Sequence, residues 1–303
     1  MNFWQRRPIV VNVIGFLLVA FLWWGLDAAG ALLLDVLGAG ISRKRGSLLP
    51  LAIAILVVTR LYDRMSPSWA GIGLHRWTGR ELSAGSLLGV LMALVAWAPS
   101  ALAGDVVAGP ATPAVAVVDL LAYLLIGAML EELAFRGYLF QRVVEIIGPV
   151  AATLGASVLF AVLHLQNPSV SAVAMLNICI ASILFSLCYF VTGSVWLPMA
   201  AHALWNITLA MIVGVPVSGI DFGGGLFRTI DGAPEIIGGG AFGPEGGLAT
   251  TLALALGVIA LLRVPGITLS PYVHAAVFRD VYRQEAERLA VESPTEPVSS
   301  DRA

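Results

Sequence analysis

The sequence predicts an all-α fold, a polytopic membrane bundle of about eight transmembrane helices. Of the 303 residues, 58% are hydrophobic and only 12% are charged, about half the charged share of a soluble domain. Long apolar stretches recur through most of the chain, and the mean hydropathy is +0.89. The net charge of −2 and the lack of a basic patch with interleaved aromatic residues argue against nucleic-acid binding.

Eight apolar stretches are candidates for the spans, since a helix needs roughly 20 apolar residues to cross a bilayer. In chain order they are Ile9–Gly30, Leu48–Tyr62, Ser83–Gly104, Val115–Phe140, Val150–Leu165, Val170–Thr192, Trp196–Gly214 and Leu248–Leu262. The first is too long for the apolar part of a cleaved signal peptide, so it is predicted to remain as a span. We expect residues 1–264 to form the bundle. Residues 265–303 are expected to form a cytoplasmic tail, amphipathic over Phe278–Leu289 and disordered from Ser293.

The orientation follows from the arginines and lysines of short loops, which favour the cytoplasmic side. Arginines precede the first stretch, separate the second from the third and follow the eighth, whereas the loop from Asp105 to Ala114 has none. This pattern predicts that both termini lie in the cytoplasm. We expect an integral protein of a bacterial cytoplasmic membrane. Arg43-Lys44-Arg45 disagrees, because eight spans place it outside. A hairpin within residues 9–40 would remove the conflict, but its apolar length is marginal for two crossings.

The connection from Val215 to Gly247 is the longest between spans and is rich in glycine. Gly223-Gly224-Gly225 and Gly238-Gly239-Gly240 lack the strand-to-helix setting of a phosphate-binding loop. We expect a flexible connector here, and a lid over a cavity is the alternative.

The fourth stretch contains three charged residues at membrane depth, in Leu130-Glu131-Glu132-Leu133-Ala134-Phe135-Arg136-Gly137. A charged side chain at the centre of a membrane helix costs about 2.5 kcal/mol or more. Glu132 and Arg136 are one turn apart and share a helix face, so they are expected to pair. Glu131 lies about 100° away around the helix, outside this pair. This surplus carboxylate indicates a functional site, and an ion pair that only fixes helix packing is the alternative.

Two histidines also lie in apolar stretches. His164 closes the fifth, and His202 lies in the seventh on the same face as Asn206. Either histidine alone could simply form a hydrogen bond between helices. Burying both histidines and the two glutamates at separate places in the membrane would cost much free energy, so we expect them to converge in one cavity. Glu131 and His164 lie at similar distances from the turn near Gly148–Pro149, whereas His202 lies nearer the cytoplasmic end. This mismatch requires a re-entrant or displaced seventh helix, or a cavity open to the cytoplasm.

The residue types suit the activation of water. A carboxylate whose pKa is raised by burial can act as a general base, and a neighbouring imidazole can hold the water. A second imidazole and an asparagine amide can donate to an oxyanion, at about 10²–10³ in rate per donor. Glu131, His164 and His202 would also serve as zinc ligands, so Zn is a candidate cofactor.

Three motifs stand in order on three of the predicted spans: Glu131-Glu132-x-x-x-Arg136, Phe160-x-x-x-His164 and His202-x-x-x-Asn206. In this order they resemble the CPBP family, the CAAX-protease and bacteriocin-processing intramembrane endopeptidases, also called abortive-infection (Abi) proteins. The resemblance covers Leu120 to about Gly214. It implies a helical bundle of about eight spans with its catalytic core within about 115–214.

The resemblance also implies a catalytic set and a supporting set. The catalytic residues are Glu131, Glu132, His164, His202 and Asn206, and the support comes from Arg136 and Phe160. Glu131 is then the base, and His164 helps to activate water. His202 and Asn206 form the oxyanion site. The family is named as metalloproteases, and the sequence leaves open whether a metal takes part.

The eukaryotic members of the family remove the last three residues of prenylated CAAX proteins. The resemblance therefore implies a substrate that is a peptide or membrane protein, lipidated or not, met at the lipid bilayer. Two other functions are weighed against this one: a catalytically silent scaffold or bacteriocin-immunity protein, and a proton-coupled transporter. The transporter predicts an inverted repeat, which the sequence lacks, and the presence of all five polar positions argues against a silent scaffold.

Overall fold

The structure, a computed structural model, describes residues 9–36, 43–64, 71–109, 114–230 and 232–263. Within these ranges the chain is mostly helical, which confirms the helical class of the fold for this part. The helices are α1 (Ile9–Val36), α2 (Arg43–Val57), α3 (Thr78–Ala103), α4 (Ala114–Arg136), α5 (Tyr138–Ile147), α6 (Pro149–Leu163), α7 (Ala172–Thr192), α8 (Trp196–Ile207), α9 (Glu235–Gly238) and α10 (Leu248–Arg263). Two short strands, β1 (Asp105–Ala108) and β2 (Phe227–Ile230), accompany them. The predicted tail over 265–303 lies outside the described residues.

In the described ranges, three helical stretches are long and apolar enough to cross a bilayer: Ile9–Gly30, Thr78–Ala103 and Ala172–Thr192. Four apolar helical stretches are shorter: Leu49–Tyr62, Pro149–Leu163, Trp196–Ile212 and Leu248–Arg263. Two of these shorter stretches end in a π-helical turn. The turn Val58–Tyr62 follows α2, and the turn Thr208–Ile212 follows α8. These helices agree with a membrane protein, whereas the number of eight spans stays a prediction.

The first helix continues without a break from Ile9 to Val36. The hairpin considered for residues 9–40 is therefore not formed over this helix. Buried side chains of α1 and α2, including Val19, Leu51 and Ile55, pack in one apolar cluster. Since α1 is a single helix, the basic segment at the start of α2 stays at the end opposite the N-terminus of α1.

The fourth predicted stretch, Val115–Phe140, is two helices rather than one. Helix α4 ends at Arg136, and α5 begins at Tyr138. A Cβ atom at position 137 would collide with the carbonyl oxygen of Leu133, so the glycine allows a bend that other residues would resist. Helix α5 buries one face, which carries Phe140 and Val144. The charged motif therefore lies in the last two turns of α4.

Two long-range contacts show which connections share an end of the bundle. Arg142 on α5 lies 2.7 Å from the carboxylate of Asp63, which directly follows the π-helical turn after α2. At the other end of α3, β1 and β2 pair antiparallel, with Asp105 opposite Ile230. The connection after α8 therefore lies at the same end as the connection between α3 and α4.

Helices α3 and α8 approach closely because glycines line the α3 face. A Cβ atom at Gly85 would collide with the carbonyl oxygen of Leu197, and one at Gly89 with that of Ala201. Small residues four apart permit such close packing of membrane helices. The contact fixes the backbone of α8 next to His202.

A buried charge network ties α5 to α1 and to the end of α2. The side chain of Arg142 has no exposed surface, and it contacts Asp63 at 2.7 Å and Glu145 at 3.0 Å. It also donates a hydrogen bond of 2.9 Å to Asn12 Oδ1 on α1. This network lies outside the motifs, and its evident role is to hold the N-terminal helices against the rest of the bundle.

We expect Asp63→Ala to lower the free energy of unfolding by about 1.5–3 kcal/mol, because it removes a carboxylate that contacts a buried guanidinium. Glu145→Ala is the matched control. Its carboxylate is 23% exposed, so its loss should cost less than about 1 kcal/mol. Chemical denaturation in detergent measures both variants, and equal losses would show that Asp63 does not anchor the network.

Candidate active site

Each of the three motifs contributes side chains to one cleft between α4, α6, α8 and the connection after α8. The cleft has a volume of about 260 Å³. Its lining includes Glu131, Phe160, His164, His202 and Asn206. The structure thus brings the polar set of three predicted spans to one place, as expected from the cost of burying its members separately.

Glu132 stands at the centre of the buried part of this set. Its Oε1 atom accepts a hydrogen bond of 3.0 Å from Arg136 Nη1, and both side chains are fully buried. The same oxygen lies 2.9 Å from His202 Nδ1. The expected pair of Glu132 and Arg136 is therefore formed, and Glu132 also holds the imidazole of α8. Because a carboxylate can only accept here, Nδ1 of His202 carries the proton.

The guanidinium of Arg136 is enclosed by backbone, hydroxyl and aromatic groups. Its Nη2 atom donates to the carbonyl oxygen of Ser182 at 2.8 Å and to its hydroxyl at 2.7 Å. The rings of Phe135, Phe160 and Phe185 lie 5.8, 5.4 and 5.5 Å from the guanidinium carbon. Such cation–π contacts favour a charged guanidinium in a site without water. Phe160, expected as a supporting residue, is one wall of this enclosure.

Glu131 points toward the opposite edge of the same imidazole. Its Oε2 atom lies 3.8 Å from His202 Nε2, beyond hydrogen-bond distance. The side chain of Glu131 is 27% exposed, whereas that of Glu132 has no exposed surface. The two adjacent carboxylates therefore differ in environment: one borders the cleft and the other is enclosed in protein.

His164 is the C-cap residue of α6, and its side chain lines the cleft. Its Nδ1 atom lies 2.7 Å from the carbonyl oxygen of Phe160. A carbonyl oxygen only accepts, so Nδ1 donates and neutral His164 has its lone pair on Nε2. This tautomer suits an imidazole that accepts a hydrogen bond from water.

The ring of His202 is held by aromatic contacts as well as by Glu132. It stacks on Phe185 with a centroid distance of 5.1 Å and an interplanar angle of 18°. Phe160 meets it nearly edge-on at 6.3 Å. These contacts fix the ring plane and direct Nε2 toward Glu131.

The structure places His202 beside Glu131, although the sequence predicts different depths for the two residues. Helix α4 ends at Arg136, so Glu131 lies about one and a half turns before the end of its helix. His202 lies about two turns after Trp196, the first residue of α8. The bend at Gly137 thus brings Glu131 nearer to a helix end than one continuous fourth span would, and the depth of both residues in a membrane stays a prediction.

The connection over Val215–Gly247, here called the covering segment, contains regular elements and packs over the cleft, where the sequence predicts a flexible connector. It contains β2, α9 and two 3₁₀ turns, and Val217, Ser218, Ile220 and Phe222 line the cleft. Its glycines serve close packing: a Cβ atom at Gly243 would collide with the carbonyl oxygen of Pro216. The arrangement agrees with the lid alternative.

The donor set does not form a metal site. Among the described residues, no group of three or more His, Cys, Asp or Glu side chains is arranged to hold a metal ion. Nδ1 of His202 is bound to Glu132 and Nδ1 of His164 to a backbone carbonyl.

Several residues around the site escape sequence analysis. Ser182 binds Arg136 from α7, and the covering segment adds Ser218 and Glu245. A serine in an apolar helix and a single glutamate in a glycine-rich segment form no motif. Only their positions in the folded chain connect them with the site.

Residues 113–208 match the model of a family described as type II CAAX prenyl endopeptidase Rce1-like. The match spans about a third of the chain and contains all three motifs. This part of the chain is therefore similar to the Rce1-like family, which confirms the resemblance stated above, and that family is described as one of endopeptidases. The description names neither the abortive-infection proteins nor a metal, and it does not support the scaffold or transporter alternatives. No curated protein matches the chain.

Proposed function

We propose that this protein is an intramembrane endopeptidase that hydrolyses a peptide bond of a membrane-associated, CAAX-like lipidated peptide or protein. The observation that carries the proposal is the convergence of Glu131, His164, His202 and Asn206 on one cleft within the matched residues. The family description names CAAX prenyl endopeptidases, and the assignment of that substrate class to this chain is part of the proposal.

In the proposed mechanism, Glu131 is the general base. A water molecule held between its carboxylate and Nε2 of His164 loses a proton to Glu131 as the oxygen attacks the carbonyl carbon of the substrate. Glu131 suits this task because it borders the cleft, whereas Glu132 is enclosed with Arg136. The product of this step is a tetrahedral intermediate with an oxyanion and a protonated Glu131.

The oxyanion would be stabilised from α8. Asn206 donates through its amide, and His202 donates through Nε2 when both of its ring nitrogens are protonated. The neighbouring charges favour that form: Glu131, Glu132 and Arg136 together carry a net charge of −1, which an imidazolium brings to zero. The hydrogen bond from Nδ1 to Glu132 at 2.9 Å stabilises the same form.

The second step breaks the carbon–nitrogen bond. Glu131 returns its proton to the leaving amine, the carbonyl re-forms, and the carboxylic acid product ionises. No group of the protein is consumed, so Glu131 ends the cycle as a carboxylate.

We further propose that the bundle crosses a bacterial cytoplasmic membrane eight times, with both termini in the cytoplasm. The contact of Arg142 with Asp63 and the pairing of β1 with β2 support this topology. They join, at opposite ends of α3, connections that eight crossings would place on the same side.

The function is tested with the purified protein in lipid nanodiscs and a farnesylated peptide that ends in a CAAX sequence. We expect release of the C-terminal tripeptide, detected by mass spectrometry, with a higher kcat/KM than for the same peptide without the farnesyl group. His202→Gln should lower kcat by about 10²–10³, as for the loss of an oxyanion donor. Equal cleavage of both peptides would contradict the lipidated substrate, and cleavage unaffected by His202→Gln would contradict the mechanism.

A further inference from the structure

The carboxylate of Glu245, beyond the three motifs, joins the covering segment to α8. Its Oε1 atom accepts a hydrogen bond of 2.9 Å from the indole nitrogen of Trp205. Its Oε2 atom accepts from the hydroxyl of Ser218 at 2.8 Å and also from the backbone N–H of Ser218. One side chain therefore connects two walls of the cleft region that are far apart in sequence.

The backbone around Glu245 is itself anchored to α7. Asn177, 1% exposed, donates to the carbonyl oxygens of Glu245 and Gly247 at 2.8 and 2.9 Å. Its own amide oxygen accepts from the hydroxyl of Thr251 at 2.6 Å. The carboxylate is thus presented from a fixed support, so its two partners are positioned relative to α7.

Both partners of the carboxylate adjoin the proposed catalytic groups. Trp205 directly precedes Asn206 on α8, and Ser218 lines the cleft together with His164 and His202. Glu245 lies in a small cavity next to the cleft, whose lining it shares with the same two histidines. A shift of Ser218 or of the Trp205 ring would therefore change the shape of the substrate space.

The covering segment adopts a conformation that needs such support. Ser218 has a φ of +50°, in the left-handed region that residues other than glycine seldom occupy. The next residue, Gly219, has a φ of +81°, and a Cβ atom there would collide with the carbonyl oxygen of Pro168 in the turn after His164. The bonds from Ser218 to Glu245 hold this turn against the His164 loop.

We propose that Glu245 is a positioning residue of the peptidase, which holds Ser218 and Trp205 so that the covering segment forms the wall of the substrate cleft beside His164 and Asn206. The inference rests on the proposed function for its catalytic consequence, but the closure of the segment is a separate property. Glu245 does not touch the reacting atoms in this scheme. It acts on substrate binding through its two partners.

The first experiment measures closure without any substrate. Trypsin cleavage after Arg228, an exposed residue of β2, reports the opening of the covering segment in the full-length protein. We expect Glu245→Gln to accelerate this cleavage at least fivefold, because the amide group cannot accept from Trp205 and Ser218 together. Cleavage after Arg76 and Arg80, outside the segment, should stay unchanged. Glu235→Gln, at an exposed position of the same segment, is the matched control and should leave both rates as they are.

The second experiment measures kinetics with the farnesylated peptide. We expect Glu245→Gln to raise KM about tenfold with a change of less than threefold in kcat. Ser218→Ala and Trp205→Phe, which each remove one bond to Glu245, should raise KM two- to fivefold and should add little to Glu245→Gln. If Glu245→Gln does not fold, Ser218→Ala and Trp205→Phe test the positioning role through the rate of trypsin cleavage after Arg228 and the KM for the farnesylated peptide.

An unchanged rate of cleavage after Arg228 in Glu245→Gln would overturn the proposed closure. Faster cleavage with an unchanged KM would overturn the positioning role. Should the unaltered protein cleave no peptide, the proposed function fails, whereas the trypsin result still decides whether Glu245 holds the covering segment.

Discussion

Replacing Glu131 with glutamine is expected to abolish peptide cleavage while the protein stays folded. Glutamine keeps the size of the side chain and one acceptor oxygen, but it cannot take the proton of the attacking water. A general base contributes about 10²–10⁴ in rate, so the loss should be large rather than partial. Tripeptide release from the farnesylated substrate and the melting temperature in detergent measure the two expectations together.

Other variants around the same water separate the proposed roles. His164→Ala should be about as severe as Glu131→Gln, because its Nε2 atom would hold the same water. Asn206→Ala should lose less, because it removes one oxyanion donor and leaves His202. Full activity of Glu131→Gln against a confirmed substrate would end this mechanism.

Metal removal is the control for the role of Glu131. If activity survives thorough chelation but not Glu131→Gln, the carboxylate activates water unaided. If chelation alone stops the reaction and zinc restores it, Glu131, His164 and His202 become ligand candidates instead. The bonds of both histidines through Nδ1 leave only Nε2 for an ion.

Glu132→Ala is expected to damage folding far more than Glu131→Ala. Glu132 is fully buried and contacts both Arg136 and His202, so its removal leaves a buried guanidinium without its carboxylate. Breaking one partner of a buried pair typically costs about 3–5 kcal/mol. Glu131 is 27% exposed and its carboxylate lies 3.8 Å from Nε2 of His202, so its removal should cost less than about 1 kcal/mol. Denaturant titration in detergent compares the two variants.

The double variant Glu132→Ala with Arg136→Met is the informative control for this prediction. Replacement of both charges by apolar groups is often close to neutral for stability, so the double variant should recover part of the loss. Equal stability of the two single variants, or the reverse order, would show that the pair is assigned wrongly.

The parts of the fold that were predicted from sequence are those set by local composition. Apolar stretches give helices, and a pair of charges one turn apart, Glu132 and Arg136, meets on one helix whatever the rest of the chain does. The convergence of Glu131, His164 and His202 was also predictable, because the cost of burying polar groups separately is high. These inferences need only the chemistry of the residues and the period of a helix.

The parts that were not predicted depend on contacts between distant segments. Gly137 divides one apolar stretch into two helices, and an isolated glycine gives only a weak signal against the continuous apolar run around it. The richness in glycine predicts a flexible connector, whereas the close approach of Gly243 to Pro216 and of Gly219 to Pro168 requires glycine at these two positions. The role of Glu245 depends on Trp205 and Ser218, and no spacing in the sequence links the three.

The long-range nature of these contacts bears on when the site is completed during synthesis. Glu132 and Arg136 can meet as soon as α4 has formed, but His202 follows Glu132 by 70 residues. Trp97 donates a hydrogen bond to the hydroxyl of Thr229, which lies 132 residues later in the chain. Glu245 is added to the growing chain after both of them. Contacts of high sequence separation form late because the loops they close cost entropy. A nascent chain therefore inserts most of its helices before the covering segment closes the cleft, so the proposed peptidase activity would begin only after Glu245 has been added and the segment has folded.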